Sequence, residues 1–278
     1  HVYAVVAPAV SSQFQGVKTE QVYAGIKELG FYDVVEAAIG ADMVSAFEAK
    51  ELAETVEEKG WKTSSCCPAF VDYVEKNYPQ FVDHISTAVS PMIATARAIK
   101  AKDKKARVVF VGPCTAKKVE MKRESLKDAV DIVITFEELQ AIFDAREIEL
   151  TSLEPRMAGE ASSFGRNFAR TGGVTESVAH TLELSGLDLD VKAVRCNGID
   201  ECIKAMKMAS FGKLDANFIE GMACKHGCTG GAASLLHDAK GIEMINRYGK
   251  ESKTDNPLEI LEKYPIDNIN MERFNHED

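Results

Sequence analysis

The sequence predicts an α/β protein built of mainly parallel sheets flanked by helices. Short apolar runs alternate with longer stretches of helical periodicity, the pattern of strands covered on both faces. A chain of 278 residues is long enough to bury a large core, as one domain or two lobes. In addition, two cysteine-bearing blocks follow directly on predicted strands, and ligands in open α/β sheets sit at the carboxyl ends of strands.

Residues 2–7 form the first apolar run and read as a buried strand. The segment is too short, and lacks the basic start, to be a signal peptide. Val22, Ile26 and Leu29 recur at helical spacing, with Gly30 as the stop. Residues 33–38 are expected as a strand and 41–59 as a long amphipathic helix ended by Gly60. Residues 108–111 and 132–135 are strands, the latter followed by a helix carrying Leu139, Ile142 and Phe143. Residues 191–194 lead to a helix over 199–208. Residues 216–219 are a strand running into Glu220. Gly172-Gly173 and Gly230-Gly231 mark tight turns or close backbone approach. The polar tail after Tyr248 is expected to wrap the surface, with one helix over 258–264. The lobes are expected at about 1–125 and 126–245, with 246–278 as the wrapping segment of a single domain.

A formal net charge of −10 argues against a nucleic-acid surface. No apolar run is long enough to span a bilayer. Seven cysteines, an odd number on a chain too large to need disulfide staples, favour a reducing, cytoplasmic setting and metal or catalytic thiols.

Five of those cysteines fall in three blocks: Ser64-Ser65-Cys66-Cys67-Pro68, Gly112 to Glu120 around Cys114, and Glu220 to Cys228 with Cys224 and Cys228. Cys224 and Cys228 alone are weak evidence, since buried structural cysteine is common. With Cys67 and Cys114 they make a set of four thiolates, which suits zinc or an iron–sulfur cluster. Structural zinc usually takes two close pairs of ligands, and here two thiols are isolated, so zinc is the lesser reading. Adjacent Cys66 and Cys67 point in different directions, so one can be a ligand while the other stays a free thiol able to carry protons. Lys117, three residues after Cys114, can stabilise anionic ligands, although a lone lysine is ordinarily a solvated charge. Cys196 and Cys202 read as core thiols.

Together the blocks resemble the three signatures of the [FeFe]-hydrogenase catalytic domain: T-S-C-C-P at residues 64–68, M-P-C-x-x-K-x-x-E at 112–120, and E-x-M-A-C-x-x-G-C with its glycine run at 220–232. Ala7-Pro8-Ala9, Gly40-Ala41-Asp42 opening a helix with Glu48 and Glu51, Ser86, Ser90-Pro91, Thr171-Gly172-Gly173 and Asn197-Gly198-Ile199 extend the likeness along nearly the whole chain.

The resemblance implies two lobes with a metal cluster in the cleft between them. The cluster would be an H-cluster: a [4Fe–4S] cubane joined to a diiron azadithiolate subcluster with CO and cyanide ligands, the diiron part present only after maturation. Cys67, Cys114, Cys224 and Cys228 would hold the cubane, and Cys228 would bridge. Lys117 would bond one cyanide, and the backbone at Pro8 and Ala9 would meet another. Phe168 and Met222 would line the apolar side. Cys66, Glu48, Ser86 and Glu51 would move protons. Implied partners are H₂ and protons, maturation proteins, and an electron donor such as ferredoxin or a domain outside this sequence.

The chain departs from the pattern at Ser64, at Ala69-Phe70 after Pro68, at Gly112 in place of Met, at Thr55 where the relay's arginine is expected, and at Ala232 in the glycine run. Such changes tune a metal centre without abolishing it, and they resemble those of slower, hydrogen-sensing members. A cluster-binding scaffold or assembly module without hydrogen chemistry is the rival reading.

Overall fold

We describe a computed structural model of the chain, over residues 1–157, 159–264 and 266–274. Among these residues, seven strands form two parallel sheets. The first has order β2-β1-β4-β5, from β1 (Val2–Val6), β2 (Asp33–Glu36), β4 (Arg107–Gly112) and β5 (Ile132–Thr135). The second has order β3-β7-β6, from β3 (Lys62–Thr63), β6 (Ala193–Asn197) and β7 (Phe218–Met222). Eleven helices accompany them among the described residues: α1 (Thr19–Glu28), α2 (Ala37–Lys59), α3 (Pro68–Asn77), α4 (Pro91–Lys102), α5 (Lys117–Glu120), α6 (Phe136–Ala145), α7 (Ser163–Asn167), α8 (Gly173–Leu184), α9 (Ile199–Ser210), α10 (Lys240–Lys250) and α11 (Pro257–Lys263). The predicted class, parallel sheets flanked by helices, is the observed one.

The sheets exchange strands across residue 125. β5 lies beyond it yet pairs with β4, and β3 lies before it yet pairs with β7. A division of the chain at 125 therefore does not separate two sheets. The hydrophobic core falls into two clusters, the larger spanning the first sheet and reaching Phe218 and Met222 of β7. The smaller one gathers Phe70, Val74, Ile85 and Met206 with Cys196 and Cys202, which are core thiols as expected.

Helix α2 runs between the elements. Its first nine residues, Ala37 to Ser45, are all buried, polar Asp42 and Ser45 included. It touches α4, α8 and α11. A Cβ at Gly40 would collide with the Pro91 carbonyl oxygen, so α2 and α4 meet backbone to backbone there. The helix starts at Ala37, four residues before the expected start at 41. Ala37-Ala38 are good helix formers, so Gly40-Ala41-Asp42 lie inside the helix and do not open it. Asp42 survives burial because Ser162 N donates to its Oδ2 at 2.9 Å and the Ser162 hydroxyl to its Oδ1.

At the first sheet's other edge, α6 opens on a capping box: Glu138 N donates to Thr135 Oγ1 at 3.1 Å and Thr135 N to Glu138 Oε2 at 2.7 Å. The β6 and β7 strands extend further than their apolar runs, to Asn197 and Met222, because Glu220 in β7 is satisfied by Gly172 N at 2.6 Å and by Thr175 N and Oγ1 at 2.9 and 2.7 Å. Those bonds cap α8 with a carboxylate. The C-terminal segment forms α10, not anticipated from the sequence, and α11. It then lies along residues 87–89 through Val89 N to Met271 O at 2.7 Å and Arg273 N to Thr87 O at 2.9 Å. Residues 275–278 of the expected wrapping segment lie outside the described residues.

Candidate metal centre

All three cysteine blocks leave the carboxyl ends of parallel strands. Cys114 follows β4, Cys66-Cys67 follow the two-residue strand β3, and Cys224 follows β7. The β3 placement went unseen in the sequence because two residues carry no periodicity.

Each block is turned by its own local chemistry. Cys67 is the N-cap of α3, with Pro68 in the first turn, where a missing N–H costs nothing. Pro113 ends β4, and its carbonyl accepts from Ala233 N at 2.9 Å, tying the second block to the third. Consecutive left-handed residues, His226 (φ 67°) and Gly227 (φ 70°), fold the chain after Cys224 back so that Cys228 returns to the same side. Cys228 N then donates to Ala169 O at 2.7 Å, and His226 N to Asn197 Oδ1 at 2.5 Å. A bond of 3.1 Å from Gly221 N to Ser64 Oγ joins the first block to the third.

The blocks surround a cavity of ≈ 100 Å³ whose wall is almost wholly apolar. Cys66, Cys67, Cys114, Cys224 and Cys228 all line it, with Lys117, Pro8, Phe168 and Met222. Ala9 does not reach the cavity; it is fully buried behind Pro8. Pro91 and Ala41, which stand in the segments that carry the resemblance, also line it, as do Ala37, Met92 and Phe110, which were not singled out from the sequence. Phe110 explains a departure. A Cβ on Gly112 would lie 2.6 Å from the Phe110 ring, so the phenyl group occupies the space that a methionine at 112 would need.

Among the described residues, no three His, Cys, Asp or Glu side chains converge tightly enough for a single metal ion. The four thiols nevertheless interact. Burial raises the Cys228 thiol, and Cys114, Cys67 and Cys224 raise it further; burial and Cys67 with Cys114 push Cys224 up to about 11. Thiols spaced around a cavity, each disfavouring its neighbour's charge, suit a polynuclear cationic cluster that spans the gap and takes thiolates. A single zinc ion is the lesser reading, since two of the four thiols stand alone in the sequence.

Lys117 is 8% exposed. Its Nζ donates to Glu120 Oε2 at 2.6 Å and to the Cys66 carbonyl at 3.2 Å. Burial lowers its affinity for a proton, but the Glu120 carboxylate overrides that and holds the ammonium above its ordinary value. An ammonium has three N–H donors, so one remains for a group in the cavity. This lysine is not a solvated charge. Glu120, the last residue of its motif, is the partner that keeps it charged.

Cys66 is buried, and burial, with Glu48 nearby, pushes its thiol up, so it stays protonated. Glu48 is 2% exposed; its Oε1 accepts from Ser65 N and Ser65 Oγ, both at 3.0 Å, while its Oε2 makes no close hydrogen bond among the described residues, the Ser86 hydroxyl acting on the carboxylate from further off. Burial lifts its carboxyl from 4.5 to about 7; the Ser65 bonds and the Ser86 hydroxyl pull the other way. Ser86 Oγ accepts from Ala88 N at 3.2 Å. Glu51 is the outermost of these groups. Its Oε1 accepts from Lys62 Nζ at 2.7 Å and from Thr87 N at 3.0 Å. Thr55 does not substitute for the expected arginine: its hydroxyl turns back to the Glu51 carbonyl at 2.7 Å. The cation beside Glu51 is Lys62, from β3, a residue that no motif or periodicity singles out.

Comparison with known proteins agrees with this architecture. The family described as "Iron only hydrogenase large subunit, C-terminal domain" matches residues 1–232. Iron hydrogenase 1 of Clostridium pasteurianum is 30% identical over 301 aligned positions, covering 88% of this chain and 52% of that protein. A cytosolic Fe-S cluster assembly factor of Sclerotinia sclerotiorum is 33% identical over 172 positions, covering 54% of this chain and 29% of that protein. The fold superposes on a solved [FeFe]-hydrogenase, described for oxygen inactivation of its H cluster 2Fe subcluster, with a TM-score of 0.77 at 23% identity, covering 100% of this chain and 92% of the other. This chain spans roughly half the length of the hydrogenases it matches, between 47% and 62%. No helix among the described residues is long and apolar enough to cross a membrane. With its three cysteine blocks at one cavity and 232 residues matched, the chain belongs to the family of C-terminal domains of the iron-only hydrogenase large subunit.

Proposed function

We propose that this domain interconverts H₂ with protons and electrons at an H-cluster. The observation that carries the reading is the convergence of four candidate thiolate ligands, one protonated thiol and a charged lysine on one apolar cavity. Bound there, the [4Fe–4S] cubane and its diiron azadithiolate subcluster with CO and cyanide ligands would supply the redox-active iron.

The chain's own residues do the rest. Cys67, Cys114, Cys224 and Cys228 would hold the cubane, and an external donor such as ferredoxin, or a further domain, would supply it with electrons. Lys117 offers its third N–H to an anionic cyanide, and Pro8 brings backbone to the cavity wall. Phe168 and Met222 exclude water. Cys66 holds a proton at the cavity. Glu48 titrates near neutrality and is therefore suited to exchange that proton in either direction. Ser86 and Glu51 continue toward the surface, with Lys62 fixing Glu51. Gly112, where the family has Met, is the ground for expecting slow turnover, a property suited to hydrogen sensing. Seven free thiols suit a reducing cytoplasm.

Anaerobic reconstitution with iron and sulfide, then loading with a synthetic diiron complex, tests the reading. We expect CO and cyanide infrared bands and H₂ evolution from a strong reductant. Cys66→Ala should keep both the cubane spectrum and the infrared bands and lose turnover by about 10²-fold or more, the size of a lost acid–base group. A cubane spectrum with no infrared bands and no H₂ would favour the rival reading, an assembly-type cluster carrier. That reading is supported by the likeness to the Sclerotinia assembly factor.

A further inference from the structure

A second, much smaller cavity of ≈ 10 Å³, room for one water-sized occupant, lies behind the cysteine blocks, lined by Ser65, Ser90, Glu120, Arg123 and Arg273 among others. Two of these residues carry donors with no acceptor among the described residues. The Arg273 side chain is 5% exposed; its guanidinium lies over the Phe274 ring at 4.5 Å and Nη1 reaches Glu75 Oε1 at 3.0 Å, while Nε and Nη2, the remaining edge of its fork, have no hydrogen-bond acceptor among the described residues. Ser90 is 2% exposed, and its Oγ likewise has no hydrogen-bond partner among the described residues. Arg273 is pinned on both sides, by its N–H to Thr87 O at 2.9 Å and by Ser125 Oγ to its carbonyl at 2.6 Å, so it cannot swing out to water without undoing the C-terminal segment.

The charges around the cavity do not satisfy that edge. Arg123 shares Glu75 at 3.0 Å and also pairs with Asp72. Glu75 and Asp72 are 28% and 29% exposed, sit on the solvent side and do not line the cavity. Glu120 lines it but is bonded to Lys117 at 2.6 Å. Glu51 acts on Arg273 only at longer range. A buried guanidinium whose fork lacks an acceptor is costly, and burial accordingly lowers Arg273's hold on its proton.

We propose that this cavity is a binding site for a small monovalent inorganic anion of the chloride class, held by the Nε–Nη2 edge of Arg273 and the Ser90 hydroxyl. The fork edge is the geometry that takes an acceptor bidentately. An anion accepts from all three donors, whereas a water molecule accepts two hydrogen bonds and adds two donors of its own. The site lies beside Ser65 and Glu120, which position Glu48 and Lys117, so its occupancy would reach the metal centre through residues already in place. Anion binding at this cavity requires no cluster in the other one.

Bromide serves as the probe. Crystals soaked in bromide should show an anomalous peak within hydrogen-bond distance of Arg273 Nη2 and Ser90 Oγ. The Tm of the wild-type chain should rise saturably with bromide relative to gluconate at equal ionic strength. Ser90→Ala should weaken the half-saturating concentration by about tenfold, one hydrogen bond to a charged partner, and Arg273→Gln should abolish the response. Should Arg273→Gln fail to fold, the soak and Ser90→Ala still decide. A water peak with no anomalous signal, or equal responses to bromide and gluconate, would overturn the proposal.

Discussion

Replacing Glu48 with Gln separates the buried carboxyl's effect on stability from its proposed effect on proton transfer. Folding lifts this group from 4.5 to about 7 by burial. Its folded form therefore binds a proton that the unfolded chain has already released across that window. The sign follows: stability falls as pH rises from about 4.5 to 7, and above 7 the full penalty is present. A shift of that size corresponds to about 3 kcal/mol at 1.36 kcal/mol per unit. The amide of Glu48→Gln removes the titration and keeps an oxygen to accept from Ser65 N and Oγ. It also places an N–H₂ group where Glu48 Oε2 makes no close hydrogen bond among the described residues. An unsatisfied buried donor costs about 1–3 kcal/mol.

Glu48→Gln should accordingly be neutral or destabilising at pH 4.5 and gain on wild type by about 3 kcal/mol by pH 7.5. Asp42, which burial raises to about 8, stays in both proteins and cancels in the difference. Anaerobic urea titrations of the two proteins at half-unit steps between pH 4.5 and 8 measure it, since equal m-values license comparison of the midpoints. Parallel pH profiles would show that Glu48 is ionised in the fold at neutral pH, which would remove the argument for it as a proton donor. The H₂ assay is separate: the variant should lose turnover at every pH.

Four further outcomes follow from the same contacts. Arg166→Ala should cost about 3–5 kcal/mol in urea denaturation, because Glu36, bonded by Arg166 Nε and Nη2 at 2.8 Å each and by Tyr248 Oη at 2.8 Å, would be left buried without its cation. Lys62→Met should leave the cubane spectrum intact and reduce turnover, since it unpins the Glu51 carboxylate; unchanged turnover would remove Lys62 from the relay. Glu120→Gln should shift the cyanide infrared bands of loaded protein by loosening Lys117, with Glu120→Asp restoring part of the shift. Gly221→Ala should destabilise by about 1–3 kcal/mol as an overpacked site, because the new Cβ would run into the Phe70 ring, and Phe70→Leu in the same chain should recover part of the loss.

How far the site could be read from sequence depended on how each residue does its work. The four candidate ligands and Cys66 announce themselves because thiols are rare, and their spacing survives in the chain. Strand β5 (Ile132–Thr135) matched its apolar run because its capping box marks where strand stops and α6 starts. The β6 and β7 limits slipped because the strands continue through polar residues whose partners are remote in sequence, as Glu220 is satisfied by Gly172 and Thr175. Lys62 was illegible for the same reason. A lysine on a two-residue strand has no pattern; only the fold sets its Nζ against Glu51, eleven residues away.

Gly112 shows how a departure from a family pattern changes meaning once its neighbours are known. From the sequence it is a lost methionine, and Gly112→Met is the obvious restoration. In the fold, Phe110 ring atoms stand 2.6 and 2.8 Å from any Cβ at 112, with the Ala7 Cβ at 3.2 Å. The phenyl ring lines the cavity in the thioether's place. The two positions are thus one packing unit: a large apolar side chain is supplied from 110 in place of 112. What has gone is the soft sulfur, not the volume. Gly112→Met alone must overpack the cavity wall, and its failure to speed turnover would say nothing about the sulfur. Only the paired exchange, Gly112→Met with Phe110→Ala, restores the thioether at constant volume, so only that protein can decide whether a methionine here raises the proposed turnover.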